Sequence, residues 1–239
     1  MLLYGVVCYV IFLAALLYLV AFLNNLWVPK GIDTGQSANL VTGSLINVGL
    51  IFLFAVQHTI MARPWFKERW KQLLPEPIER STFVLFSSLI FIVLFWLWQP
   101  IPGVLWAVES PIAVYVIYGL QVVGWGIVLL SSFLINHFEL FGLQQVYRHW
   151  RGQRHQSAQF RLPWLYRLVR HPLMLGFVIA FWSTPTMTHG HLVFSVAFTI
   201  YIFAGIHFEE RDLVSNFGEE YESYRRSTAM IMPVPKRGS

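Results

Sequence analysis

Four clusters hold the side chains that could carry chemistry. FAVQHTIMAR places Gln57 and His58 together near the end of an apolar run. A histidine at such a boundary either serves a site or hydrogen-bonds a neighbour at the membrane surface. INHFELFGLQQV, residues 135–146, gathers His137, Glu139, Gln144 and Gln145 where another apolar run ends, and Gly142 permits a turn or a close backbone approach. An acidic residue at a helix C-terminus opposes the helix dipole, so Glu139 is expected to have a specific partner. YRLVRHPLMLG, residues 166–176, sets Arg170 and His171 directly before Pro172, a residue suited to the first turn of a helix. Two basic side chains beside exposed backbone N–H groups make an anion site, and Gly176 leaves room for a ligand or a helix at close range. The same residues would serve equally as a basic anchor for lipid phosphate. HFEERDL, residues 207–213, offers Glu209 and Glu210, which suit an ammonium group or sugar hydroxyls, or else pair with a nearby arginine.

The elements that must position these clusters follow from hydropathy. Of 239 residues, 56% are hydrophobic and only 12% charged, with a mean hydropathy of +0.56; an average soluble domain is about 25% charged, so a soluble enzyme is excluded. The single cysteine, Cys8, excludes a disulfide framework and a cysteine-built zinc site. Uncharged apolar runs cover residues 2–27, 40–62, 81–106 and 110–136, each long enough to cross about 30 Å of hydrocarbon. The first lacks the basic start and small-residue cleavage site of a signal peptide. A fifth run, residues 172–208, would be about 55 Å long as one helix. TPTMTHGH lies at its middle, with Pro185 and Gly190 as breakers, so a helical hairpin is expected, with both ends on one side and its depth left open. In the tail, Leu213, Phe217, Tyr221 and Tyr224 recur at helical spacing among charges and predict an interfacial amphipathic helix. The expected fold is all-α: a polytopic membrane bundle of four spanning helices, a C-terminal hairpin and that interfacial helix, in one domain over residues 1–239.

Basic residues orient the bundle. Arg63, Lys67, Arg69, Lys71 and Arg80 follow the second run; Arg148, Arg151, Arg154, Arg161, Arg167 and Arg170 follow the fourth. Arg211, Arg225, Arg226, Lys236 and Arg237 follow the hairpin, leaving Lys30 alone elsewhere. These loops alternate to one face, so the positive-inside rule makes that face cytoplasmic, with both termini and segments 137–171 and 209–239 on it. An inner-membrane, multi-pass protein is expected. Topology accounts for the net charge of +5, and no nucleic-acid partner is needed.

The last two clusters form an ordered signature. Arg170, His171, Pro172 and Gly176, then the hairpin, then Glu209, Glu210 and Leu213, then Phe217, Gly218, Tyr221 and Tyr224 resemble the C-terminal pattern of the isoprenylcysteine carboxyl methyltransferase superfamily of membrane enzymes. FAVQHTIMARPWFK, PEPIERSTFVLFSSL, INHFELFGLQQV, RHPLMLGFVIAFWSTPTMTHGH and EERDL extend the likeness over most of the chain to the methanethiol S-methyltransferases, with the NnrU-type membrane proteins as relatives. The resemblance implies methylation of a small thiol by S-adenosylmethionine (SAM), methanethiol to dimethyl sulfide, with hydrogen sulfide to methanethiol as a second conversion. It implies that Arg170 and His171 take the SAM carboxylate and Glu209 and Glu210 its ammonium or ribose, with Gly176 at close range. Tyr166, Phe217, Tyr221 or Tyr224 would flank the adenine. The thiolate is the nucleophile, so a neutral histidine is wanted as proton acceptor: His137 backed by Glu139 first, His58 second, unless the sulfonium charge lets water serve.

Two other readings stay open. A larger lipophilic acceptor, a prenylcysteine or a phospholipid, would need a lateral groove. A non-catalytic haem or metal protein would use His189 with His191, or His58 with His137, although no HxxxH or HExxH pair occurs and no metal is assigned. The expected partners are a small thiol and the bilayer; the oligomeric state is left open.

Overall fold

The computed structural model describes residues 1–153 and 163–233. In chain order these form α1 (Leu2–Leu23), α2 (Leu40–Ala62), α3 (Pro64–Trp70), α4 (Glu76–Leu97), β1 (Val104–Ala107), α5 (Pro111–Ile135), α6 (His137–Leu140), α7 (Leu143–Trp150), α8 (Trp164–Leu168), α9 (Pro172–Trp182), β2 (Thr186–Thr188), α10 (His189–Phe217) and α11 (Glu219–Ser227). Helices α1, α2, α4, α5 and α10 are long and apolar enough to cross a membrane, so the protein is a multi-pass membrane helix bundle. Arg154, Arg161, Lys236 and Arg237, counted above toward the basic face, lie outside the described residues.

Local chemistry sets the helix ends, and three of them correct the hydropathy reading. The third span is Glu76–Leu97 and not 81–106. Pro77 and the acidic Glu76 and Glu79 suit a first turn, whereas Pro100 and Pro102 forbid a helix that the apolar count carries through them. The first span stops at Leu23, short of residue 27, before Asn25 and Trp27, both at positive φ. The second hairpin arm runs past residue 208 to Phe217, so Glu209, Glu210 and Leu213 are helical and the tail helix begins only at Glu219. No Pro or Gly breaks residues 206–217, and Gly218, at φ +54°, ends the helix. In α11, Glu219, Glu220 and Glu222 occupy the first turn and Arg225 and Arg226 the last, matching the dipole at both ends.

The chain divides into two compact units. The first contains the described residues of Met1–Ala107, Phe138–Gln156 and Thr186–Ala197. Here α1 and α2 pack on α4, and α7 packs on α1 and α4. Phe12 stacks on Phe141 at 3.9 Å, beside a core of Met61, Phe83 and Val84. Gly142, at φ +84°, turns the chain where an added Cβ would meet the Ser81 backbone nitrogen at 2.5 Å, so it supplies both the turn and the close approach expected of it. At the other end buried Asn47 donates to the Gln99 carbonyl at 2.8 Å and accepts from the Gln99 N–H at 2.9 Å. The hairpin tip is anchored there too: β2 pairs antiparallel with β1, which follows α4, and Thr188 donates to Asp33 at 2.5 Å.

The second unit contains the described residues of Val108–His137, Ser157–Pro185 and Phe198–Ser239. Helices α5 and α9 cross at glycine: a Cβ on Gly124 would lie 2.7 Å from the Ala180 nitrogen, and one on Gly176 would lie 2.7 Å from the Gly124 carbonyl oxygen. Small residues let membrane helices approach this closely. Trp125 then meets Phe177 and Phe181 edge-on at 5.9 and 6.1 Å. Gly176, open to a ligand or a helix in the sequence, is filled by a helix. Gly176→Ala is expected to destabilise the protein by about 1–3 kcal/mol through overpacking, measured as a lower denaturation midpoint in detergent; an unchanged midpoint would contradict the crossing.

Candidate functional site

The RHP segment and the EE pair, forty residues apart, converge in the second unit. Val169 forms a parallel bridge with Ala229. The Arg170 N–H donates to the Ala229 carbonyl at 2.8 Å and the His171 N–H to the Met230 carbonyl at 3.1 Å. The chain beyond α11 thus straps the residues that precede α9. From there Arg170 donates through Nε to Glu210 Oε1 at 2.7 Å, with Nη2 also at 2.7 Å, and through Nη1 to the carbonyls of Arg225 at 3.1 Å and Thr228 at 2.5 Å. His171 Nε2 lies 3.1 Å from Glu210 Oε1, and its Nδ1 lies 3.6 Å from Glu209. Arg225 Nε closes on the other oxygen of Glu210 at 3.2 Å. Glu210, 6% exposed, is the hub; Glu209, one residue before it, is half-exposed.

Sequence reasoning aimed Arg170 at a ligand's carboxylate; in the structure its guanidinium is turned onto Glu210 and two backbone carbonyls. That is the arginine pairing weighed as the alternative for the two glutamates. Isolated ionised groups are too costly to bury, and a hydrogen-bonded guanidinium–carboxylate pair, here with two N–H donors on one oxygen, is the form in which they persist.

Tyrosines bracket the network. Tyr224 donates its hydroxyl to the Tyr166 carbonyl, and the Tyr166 hydroxyl donates to the Ser131 carbonyl at 3.5 Å. Tyr221, buried, meets Tyr224 edge-on at 5.8 Å. Burial, reinforced by Glu210 and opposed by Arg170, pushes the Tyr224 pKa up to about 12, so its hydroxyl stays a donor throughout the physiological range. Burial raises Tyr166 and Tyr221 as well.

His137 is buried at the end of α5, stacked on Phe133 at 4.3 Å with the rings 7° from parallel. Its Nδ1 lies 2.8 Å from Ser132 Oγ, and that hydroxyl donates its one proton to the Leu129 carbonyl at 2.7 Å. Ser132 must therefore accept from Nδ1–H, which leaves Nε2 as the proton-accepting nitrogen. Burial lowers the His137 pKa. Ser132 was missed in the sequence; the one signal was a Ser–Ser pair inside an apolar run. Glu139 shares the short helix α6 with His137, and its backbone carbonyl accepts from Gln145 Nε2 at 2.9 Å. His58 belongs to the first unit, its ring 5.3 Å from Phe54 and 4.9 Å from Phe83.

A cavity of about 250 Å³ opens beside the network, lined by His207, Glu210, Arg211, Val214 and Arg225. The first four stand at i, i+3, i+4 and i+7 on α10. That spacing was legible in the sequence, but only for a helix known to continue through residue 217. The cavity is a little under the roughly 300 Å³ lower end of ligand pockets. Its lining carries both signs of charge, which fits the amino-acid end of a zwitterion.

The chain is similar to methanethiol S-methyltransferase 1 of Bradyrhizobium diazoefficiens, 48% identical over 97% of this chain and 81% of that protein. To the methanethiol S-methyltransferase of Mycobacterium tuberculosis it is 45% identical over 98% of this chain and 96% of the relative. A more distant likeness is to Nurim of Xenopus laevis, 29% identical over 66% of this chain and 58% of that protein. No protein-family profile and no solved structure matches the chain.

Proposed function

The chain belongs to the methanethiol S-methyltransferase family, and on that premise we propose that it methylates methanethiol to dimethyl sulfide with SAM as methyl donor, at a site in the second unit facing the cytoplasm. The observation that carries the reading is the convergence of Arg170, His171, Glu209 and Glu210 beside a cavity of mixed charge.

SAM supplies a methyl group already activated on a sulfonium. Glu209 and Glu210 would hold its ammonium. Arg211 and Arg225, on the cavity wall, would hold its carboxylate, and His171, against Glu209 and Glu210, would stand near the same end. Arg170 is a positioning residue: it holds Glu210 and fastens the C-terminal strap. Tyr166, Tyr221 and Tyr224 would supply aromatic faces toward the adenine, and such faces also favour a neighbouring cation. At the acceptor, His137 Nε2 takes the thiol proton while the sulfur lone pair forms the new carbon–sulfur bond. Transfer of this kind depends on alignment and exclusion of water, both supplied by packed apolar helices.

Purified protein given SAM and methanethiol is expected to release dimethyl sulfide into the headspace and S-adenosylhomocysteine in equal amounts. Neither product, with SAM still bound, would overturn the acceptor; no SAM binding would overturn the reading as a whole.

A further inference from the structure

Ser131 is 0% exposed, and its hydroxyl has no hydrogen-bond partner among the described residues. Other helix hydroxyls turn back onto their own backbone: Thr82 donates to Ile78 at 2.8 Å, Ser87 to Phe83 at 3.0 Å, Ser88 to Val84 at 2.8 Å, and the adjacent Ser132 to Leu129. A buried hydroxyl without a partner is costly in apolar surroundings and marks a place where something outside the chain completes the bond.

Its position says what that is. Gly124, Val128 and Ser131 recur at i, i+4 and i+7 on the face of α5 that meets α9, and Val128 lies against Gly176. The same antiparallel register brings Ser131 level with the start of α9, where Pro172 has no N–H to offer it. The Ser131 carbonyl receives the Tyr166 hydroxyl, and the next residue, Ser132, holds His137. The lone hydroxyl thus stands on the residue next to the one that holds the base.

We propose that this is the acceptor subsite, in which Ser131 Oγ–H donates to the sulfur of a small uncharged thiol. The assignment rests on the thiol-methyltransferase reading above. As the S–H bond breaks, its proton goes to His137 Nε2 and the sulfur lone pair forms a bond to the donor's methyl carbon, whose bond to the sulfonium breaks. The charge that gathers on the acceptor sulfur strengthens the hydrogen bond from Ser131. A neutral hydroxyl among apolar helices suits a neutral thiol, whereas the charged donor is served by the ionic groups around Glu210.

The test uses the full-length enzyme in detergent. Ser131→Ala is expected to raise KM for methanethiol about tenfold, leave the SAM dissociation constant unchanged, and leave the melting temperature equal or higher because an unsatisfied buried hydroxyl is gone. Ser131→Cys, with a weaker donor of similar size, is expected to fall between. An unchanged methanethiol KM, a shift in SAM affinity alone, or a lower melting temperature with both affinities weakened would each overturn the assignment. If the wild-type protein makes no dimethyl sulfide, the underlying reading fails and this subsite falls with it; a wild-type enzyme that is active beside an unaffected Ser131→Ala sinks the subsite alone.

Discussion

Glu210→Gln is expected to cost the protein about 3–5 kcal/mol and to abolish measurable SAM binding. Removing one partner of a buried ion pair strands the other, and the penalty is that of an uncompensated buried charge. Arg170 would keep its bonds to the carbonyls of Arg225 and Thr228 but lose the carboxylate that takes both Nε and Nη2. The contact with Arg225 adds little to that figure, because its side chain is half exposed and screened by water. Arg170→Met combined with Glu210→Gln is expected to recover only part of the stability, since the two carbonyls then lack their donor, and none of the SAM binding. As a control, Glu222→Gln removes an exposed carboxylate 3.8 Å from Arg226 on α11 and should change stability by less than about 1 kcal/mol. Thermal melts with calorimetric SAM titrations separate these outcomes. A Glu210→Gln protein that melts with the wild type would show that the pair is not a keystone.

His137→Ala is expected to lower kcat by about 10²–10⁴ while SAM affinity stays at the wild-type value. The pH profile gives the sharper signature. Burial lowers the His137 pKa, so the imidazole is neutral and able to accept a proton throughout the neutral range. The wild-type rate should be level there and fall only in acid, below the ordinary histidine value of about 6.5, as the ring becomes protonated. Without the ring, the thiolate must come from solution, and the variant's rate should climb about tenfold per pH unit toward the thiol's own pKa. Ser132→Ala, which removes the acceptor on Nδ1, should lie between the two. A His137→Ala enzyme with a wild-type rate and a flat profile would remove His137 from the chemistry.

Much of the scaffold is legible in the chain because the bilayer imposes it. A run such as residues 40–62 has to be helical, since no water is present to satisfy its backbone, and α2 occupies those residues. Pro172 opens α9 as its position foretold. Misplaced ends had a common cause: an apolar count registers hydrophobicity and ignores backbone stereochemistry, so it ran through Pro100 and Pro102 and cut α10 at its first charges, although a charged residue does not end a helix.

The same division holds at the site. The sequence determined which residue types were present at which boundaries: the RHP segment, the EE pair, and a histidine closing α5. Tertiary structure decided their partners. It turned Arg170 onto Glu210, gave Gly176 to Gly124, fixed the tautomer of His137 through Ser132, and left the Ser131 hydroxyl unmatched among the described residues. Hydropathy and helix propensity act between neighbours along the chain and can be read from it. Hydrogen bonds between residues forty or fifty-eight apart depend on how helices cross, and that is settled only when small residues such as Gly124 and Gly176 let the backbones touch.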